Sequence, residues 1–280
     1  MQKNNKVPKV SILLPTHNGA KWVRSAIESV LVQDYSEFEL IVIDDASTDN
    51  VAAVVRDLAK NDSRVHYIKN EVNLGIQKTL NKGIALARGK YIARIDDDDM
   101  WSDIHKLGAQ VEFLETHPDY MLVGTGTVIV NEEGNELFRF LAPETDNDIR
   151  KILLFRNCFT HSSVMFRSDI VRALRGYRED EETRHIEDYE LWLRMGTKGK
   201  LHNLPLFSVR FMMRRGAISA RYKPVQLYHA LRIISRYRVY YRFYPLAWLF
   251  ALVRYVGYRI FLFFPGFIQQ LIVRIYKQGC

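Results

Sequence analysis

Four consecutive aspartates, Asp96-Asp97-Asp98-Asp99, follow directly on the apolar run 91–95. Carboxylates a few ångströms apart raise one another's pKa. A hard divalent cation, Mg²⁺ or Mn²⁺, ligated by carboxylate and phosphate oxygens, would relieve that repulsion. The plainer alternative is an acidic helix start, with Asp99 or Ser102 as the cap. Two more polar clusters stand at comparable points, Pro15-Thr16-His17-Asn18 after the run 9–14 and Asp44-Asp45-Ala46-Ser47 after the run 39–43. Glu187-Asp188, with Glu190 close behind, offers a carboxylate for general-base work, or simply a charged helix N-terminus favoured by the dipole. Neither G-x-G-x-x-G nor G-x-x-x-x-G-K-[ST] occurs, which speaks against a dehydrogenase or a P-loop hydrolase. Phosphates would then be held mainly through a metal.

Alternating elements must position these groups. The runs 9–14 (KVSILL) and 39–43 (ELIVI) are short, β-branched and nearly free of polar residues, as strands buried on both faces require. Between them Trp22, Ile27, Val30 and Leu31 recur at near-helical spacing. The rhythm continues with helix 51–60, strand 65–68, helix 79–87 and strand 91–95, so the fold class is α/β with right-handed crossovers. After a helix at 104–115, the runs 121–130 and 137–141 flank a Glu-Gly turn signal and predict a hairpin, which makes the sheet mixed. Helix 188–195 follows a polar stretch. All three of the first polar clusters fall just past strands, on the sheet edge where open α/β folds bind ligands.

In this order, VSILLPTHNG, LIVIDDASTD, GKYIARIDDDD and HIEDYELWLRM resemble an inverting family 2 glycosyltransferase of GT-A fold, over roughly residues 8–220. The resemblance implies a mixed, mainly parallel sheet flanked by helices and a nucleotide-diphosphate sugar donor. Pro15, Thr16 and Asn18 would lie beside the nucleoside, and Asp45 would accept from the imide N–H of a uracil, which favours UDP. Asp98 would ligate the metal, Asp96 and Asp97 would contact the ribose or the metal's water shell, and Asp99 would stand further out. Asp188 would be the base that deprotonates an acceptor hydroxyl, beside Glu187. In 160–167, similar to a strand bordering the acceptor, His161 would touch substrate or be a buried hydrogen-bonded histidine. Trp192, one turn on from Asp188, would be a sugar platform or a core residue. Two departures affect the diphosphate contacts. The segment Val209-Arg210-Phe211-Met212 keeps an arginine but lacks the family's histidine, with Arg214 and Arg215 as further cations, and Leu80 precedes Asn81 where many relatives have arginine.

With 280 residues, 48% hydrophobic and 26% charged, the chain is neither disordered nor collagen-like and is long enough for one large domain or two small ones. Its charge is uneven. Residues 1–190 hold 24 Lys+Arg and all 32 Asp+Glu, whereas 191–280 hold 16 Lys+Arg and no acid. The organisation expected is a catalytic domain over 1–220 and a basic, aromatic helical extension over 221–280. Residues 225–243 read as a helix with an apolar side ringed by arginines. The stretch 245–264 has the length of a bilayer span, and its eleven Leu, Ile, Val and Phe would gain about 3–6 kcal/mol on insertion. Arg254 and Arg259 would cost about 5–7 kcal/mol together if central, so a basic, aromatic-rich pair of helices lying in the cytoplasmic headgroup region fits better than a span. Packing on the body or on a second subunit is the alternative, and the long uncharged runs disfavour nucleic acid as a partner. A lipid-linked saccharide acceptor in surface polysaccharide assembly would give such a tail a purpose. A sugar-nucleotide nucleotidyltransferase and a non-catalytic sugar-nucleotide or membrane-binding protein are the rival functions. Nothing at the N-terminus reads as a signal peptide, and Cys158 and Cys280 are expected as free thiols of a reducing compartment.

Overall fold

The computed structural model describes residues 7–214 and 222–264, so Arg215, Cys280 and the end of the basic extension lie outside the described residues. Among the described residues a nine-stranded sheet forms. Its strands are β1 (Val10–Thr16), β2 (Phe38–Asp44), β3 (Val65–Lys69), β4 (Tyr91–Arg94), β5 (Met100–Trp101), β6 (Tyr120–Val130), β7 (Glu136–Phe140), β8 (Met165–Arg167) and β9 (Lys200–Met212). The spatial order is β3-β2-β1-β4-β8-β6-β9-β5, with β7 hairpinned onto β6. The first four strands are parallel neighbours, β8 runs antiparallel to β4 and β6, and β6 and β9 are again parallel. This is the mixed, mainly parallel α/β sheet that the alternating runs implied.

Alternation along the central strands divides the core. Val10, Ile12, Leu14, Leu40 and Val42 face α1 (Val23–Leu31), α2 (Val51–Asn61) and α4 (Lys106–Thr116). Leu13, Ile41 and Ile43 face α3 (Ile76–Leu86), α6 (Ser168–Ala173) and α7 (Glu187–Gly196), along with α5 (Asp146–Ile152). In α1, Val23, Ala26, Ile27 and Val30 form the buried stripe that helical spacing demands. Proline inside a central strand normally breaks the ladder. Pro15 escapes because Leu13 O accepts from Ile95 N on the β4 side and Thr16 O accepts from Asp45 N on the β2 side. Pro15 therefore faces the flank where β4 pairing has already ended, at Leu13 opposite Arg94.

The extension differs from the single helix expected over 225–243. Helix α8 (Lys223–Arg236) stops there, and α9 (Tyr244–Phe263) starts after Phe243, whose φ of 62° is left-handed, with Pro245 fixing its first turn. Helix α8 packs on the body. Ile233 and Ile234 join the core, Tyr237 Oη donates to the buried Glu190, and Tyr241 Oη donates to Leu193 O.

Candidate functional site

The three polar clusters meet at the carboxyl edge of β1, β2 and β4. Thr16, the last residue of β1, donates from Oγ1 to Asp97 Oδ2 at 2.6 Å. Asn18 has a φ of 56° and staples two loops together: its N–H donates to Ser47 Oγ (2.9 Å), and its Oδ1 accepts from Thr48 N (2.9 Å). Asp45 is buried. Its oxygens accept from Asn70 Nδ2 (2.8 Å), Leu74 N (2.9 Å) and Gly75 N (2.9 Å), which fixes the loop into α3. A carboxylate has about four acceptor positions, so one is left for a ligand.

Gly19 is required where the β1 loop meets the acidic run, because a Cβ there would stand 2.0 Å from Asp97 Oδ2 and 2.6 Å from Thr16 Oγ1. Gly19→Ala should therefore lower stability by about 1–3 kcal/mol. Thermal denaturation reads this directly, and an unchanged midpoint would mean that Asp97 is not held against this loop.

The four aspartates have four different settings. Asp96 Oδ1 pairs with Arg94 Nη2 at 2.6 Å, and its N–H donates to Ser162 Oγ (2.9 Å). Burial pushes Asp96 toward protonation and is the largest single influence, but the Arg94 charge, His161 and the hydrogen bonds from Arg94 and Ser162 together outweigh it and hold the carboxyl below its ordinary range. Asp97 is pushed up to about 7 by burial, with the charges of Asp98 and Asp96 adding to it. Asp98 is raised by burial and by Asp96, and is ion-paired with Arg214 Nη2 at 2.5 Å. Asp99 is fully enclosed, accepts from Ser162 Oγ and Met212 N, and is raised well above the carboxylate range by burial and then by Asp96 and Asp98. Asp99 is thus a structural residue behind the other three.

Among the described residues, no three His, Cys, Asp or Glu side chains stand together closely enough to hold a metal ion. The donor chemistry still suits a hard cation: Asp96 to Asp98 offer carboxylate oxygens, and Asp97 and Asp98 are held toward protonation by burial and then by neighbouring carboxylates, a repulsion that a cation would relieve. Such an ion would need phosphate oxygens to complete its shell, and Arg214 already occupies part of Asp98.

Asp188 sits in the first turn of α7. Its Oδ1 accepts from Tyr189 N (2.6 Å) and its Oδ2 from Asn157 Nδ2 (2.8 Å). Burial pushes it up to about 6 against these two donors, and Asp96 contributes to the rise, which places both carboxylates in one electrostatic neighbourhood. Glu187 beside it is pushed up to about 8 by burial and by Asp188, and its Oε2 is buried without a partner. Leading from Asp96 toward Asp188, Arg94 Nε donates to His161 Nε2 (3.1 Å), and that nitrogen lies 2.8 Å from Tyr177 Oη. Tyr177 in turn feels Asp188, Glu187 and Asp96.

Three expected contacts need correction. Trp192 has no exposed surface and packs among Phe159, His161 and Phe166, so it is core and cannot underlie a sugar; one helical turn beyond Asp188 the helix already faces the interior. His161 has both ring nitrogens engaged by Arg94 and Tyr177 and is held neutral by burial, with a pKa of about 3, so it braces Asp96 from behind. Arg210 turns to the β6–β7 hairpin and donates to Gly134 O, while Arg214 is the cation that reaches the acidic run. The end of β9 is anchored beside the acidic run, Met212 N donating to Asp99 and Met213 N to Val130 O. Arg94 was not foreseen, although an arginine within a doubly buried strand, two residues before an aspartate, is the signal that could have found it. Asn157 carried no such signal.

Against known proteins, residues 11–175 match the family described as Glycosyl transferase family 2. EpsE of Bacillus subtilis strain 168, assigned as a glycosyltransferase, is 38% identical over 198 residues, covering 70% of this chain and 69% of its own. The O-antigen biosynthesis glycosyltransferase WbnJ of Escherichia coli is 34% identical over 66% of this chain and 71% of its own. Among solved structures, S. aureus TarS 1-349 in complex with UDP-GlcNAc superposes with a TM-score of 0.67 at 20% identity, over 91% of this chain and 73% of that one. The mannosyltransferase PcManGT of Pyrobaculum calidifontis, in complex with GDP-Man and Mn²⁺, gives 0.62 at 15% identity, over 98% and 81%. At those identities the two structures establish a shared fold.

Proposed function

Because this chain belongs to glycosyl transferase family 2, we propose that it moves a sugar from a nucleotide-diphosphate donor to an acceptor hydroxyl with inversion, Asp188 serving as the base. The observation that supports this most is that Asp96, Glu187 and Asp188 lie near enough for each carboxyl to feel its neighbours, with the hydrogen-bonded chain Arg94–His161–Tyr177 leading from Asp96 toward Asp188. The acceptor oxygen forms a bond to the anomeric carbon as its proton passes to Asp188. The bond from that carbon to the diphosphate oxygen breaks, and the nucleoside diphosphate leaves with the electron pair.

Thr16 and Asn18 hold the two loops that would flank the nucleoside. The one free acceptor position of Asp45 suits an imide N–H, so a UDP-sugar is the favoured donor. Asp96 and Asp98 would hold Mg²⁺ or Mn²⁺, which when bound neutralises charge growing on the leaving diphosphate. Arg214 supplies a positive charge at the same place from the chain itself. We read the acceptor as a lipid-linked saccharide in surface polysaccharide assembly, met at the cytoplasmic face of the membrane.

Incubation with a panel of UDP- and GDP-sugars, with and without Mn²⁺, tests this, the product anomer being read by NMR. The expected product has the configuration opposite to the donor, and Asp98→Ala should abolish both turnover and its response to Mn²⁺ while the protein stays folded. A product of retained configuration, or wild-type turnover in Asp98→Ala, would refute the reading.

A further inference from the structure

Helix α9 shows two unlike sides. Ala247 and Ala251 are buried, and the Tyr255 ring lies tilted against that of Tyr228 on α8, centroids 5.9 Å apart, so one side is covered by the protein. On the other side Leu246, Leu249, Phe250, Val253, Val256, Ile260 and Phe263 are all exposed, Leu249 to 53% and Val253 to 61%. Their spacing is that of a single helical stripe. An uninterrupted apolar stripe of this length is unusual on a surface that meets only water.

The charges around it are selective. At 3.6 residues per turn, Arg254 and Arg259 project to opposite sides of the stripe, each roughly 100° from its centre. Arginines so placed bury their stems and keep their guanidinium groups at the water boundary. The turn leading into α9 adds exposed Val239, Tyr240 and Phe243, with Arg238 and Arg242 interleaved. Beside the helix, Arg232, Arg236, Arg238 and Trp248 line a cavity of about 520 Å³ in which Glu182 is the acidic residue. Glu182 pairs with both Arg232 and Arg236, which leaves the wall with a net positive charge. No acidic residue occurs anywhere from 191 to 280.

From this arrangement we infer that α9 lies in the plane of an anionic lipid surface, its stripe Leu246 to Phe263 among the acyl chains and its flanking arginines, with the Arg232–Arg236–Arg238 wall, on lipid phosphates. A bilayer-crossing orientation is disfavoured: the helix is long and apolar enough to cross by length and composition, yet Arg254 and Arg259 fall within it, and one side is already covered by protein. A second copy would bury the stripe but would bring like-charged arginine rims together. The inference stands on α9 and its neighbours and is independent of the transfer chemistry. Because α8 donates from Gln226 to His185 O and meets Arg184 O through His229, the same helix pair braces the loop that leads into Asp188.

Co-sedimentation of the full chain with phosphatidylcholine vesicles, with and without about one third phosphatidylglycerol, tests the inference. Binding should require phosphatidylglycerol and weaken with salt. Leu249→Glu with Val253→Glu should weaken it by roughly tenfold or more at an unchanged melting temperature, since both positions are exposed. Three results would overturn it: no binding by the wild type, undiminished binding by the double variant, or a wild-type dimer that the double variant dissolves without any affinity for vesicles. Resistance to alkaline carbonate extraction would show a span and overturn the in-plane orientation.

Discussion

Replacing Asp188 with asparagine is expected to slow sugar transfer by about 10²–10⁴-fold, the usual contribution of a positioned general base. The fold should survive, because asparagine keeps the shape and can still accept from Tyr189 N, now 2.6 Å from Asp188 Oδ1. The pH dependence carries the sharper signature. Burial lifts Asp188 to about 6, so its basic form is lost as the pH falls through that value, and the wild-type rate should fall with it. Asn157 Nδ2 donates to this carboxylate and pulls the pKa down, so Asn157→Leu should move the acid limb upward. Glu187 has the opposite standing. At about 8 it is protonated at neutral pH, and Glu187→Gln copies that neutral form, so its rate near pH 7 should hold while any change above pH 8 disappears. A flat rate between pH 5 and 7, or an Asp188→Asn variant of wild-type activity, would remove Asp188 from the base's place.

Much of this was legible in the sequence because the relevant signals are local. Strands β1 and β2 announce themselves as nearly unbroken apolar runs, since a parallel strand covered on both faces asks for little else, and β3 and β4 follow from the rhythm of alternating strand and helix. The acidic clusters stand out for the complementary reason, that charges directly behind such runs must lie at the sheet edge. What escaped depends on tertiary geometry. Trp192 shares the spacing of a platform residue, and only its depth below Asp188 makes it core. Arg214 rather than Arg210 reaches the acidic run because Met212 N bonds to Asp99 and brings the residues just after β9 to Asp98, while Arg210 faces the β6–β7 hairpin. Helix α5 is marked by the Thr145 cap, with Asp148 N donating to its side chain, but it is too short for periodicity to reveal. The break after Arg236 turns on the left-handed backbone of Phe243, a conformation that aromatic residues seldom signal.

Arg94→Met should be the most destabilising single change in the cleft. The guanidinium has no exposed surface and is shared among Asp96 (2.6 Å), the carbonyls of Leu13 (3.2 Å) and Ile95 (3.1 Å), and His161 (3.1 Å). Arg94 is fully buried while Asp96 keeps 30% of its side chain exposed, so losing the arginine strands a partly hydrated carboxylate and several buried acceptors, at a cost of about 3 kcal/mol, the low end for a broken buried pair. In a chain of this size that corresponds to a fall in melting temperature on the order of 10 °C. Arg94→Lys should rescue little, because an ammonium on a flexible stem cannot span a carboxylate, two carbonyls and an imidazole at once. The origin of the loss is separable. If the stranded charge of Asp96 dominates, then Asp96→Asn should restore stability to Arg94→Met while destabilising the wild type, giving a coupling well above the roughly 0.5 kcal/mol seen between independent sites. If the two losses simply add, the arginine acts through packing and the carbonyl bonds, and Asp96 owes its position to Ser162, whose Oγ accepts the Asp96 N–H.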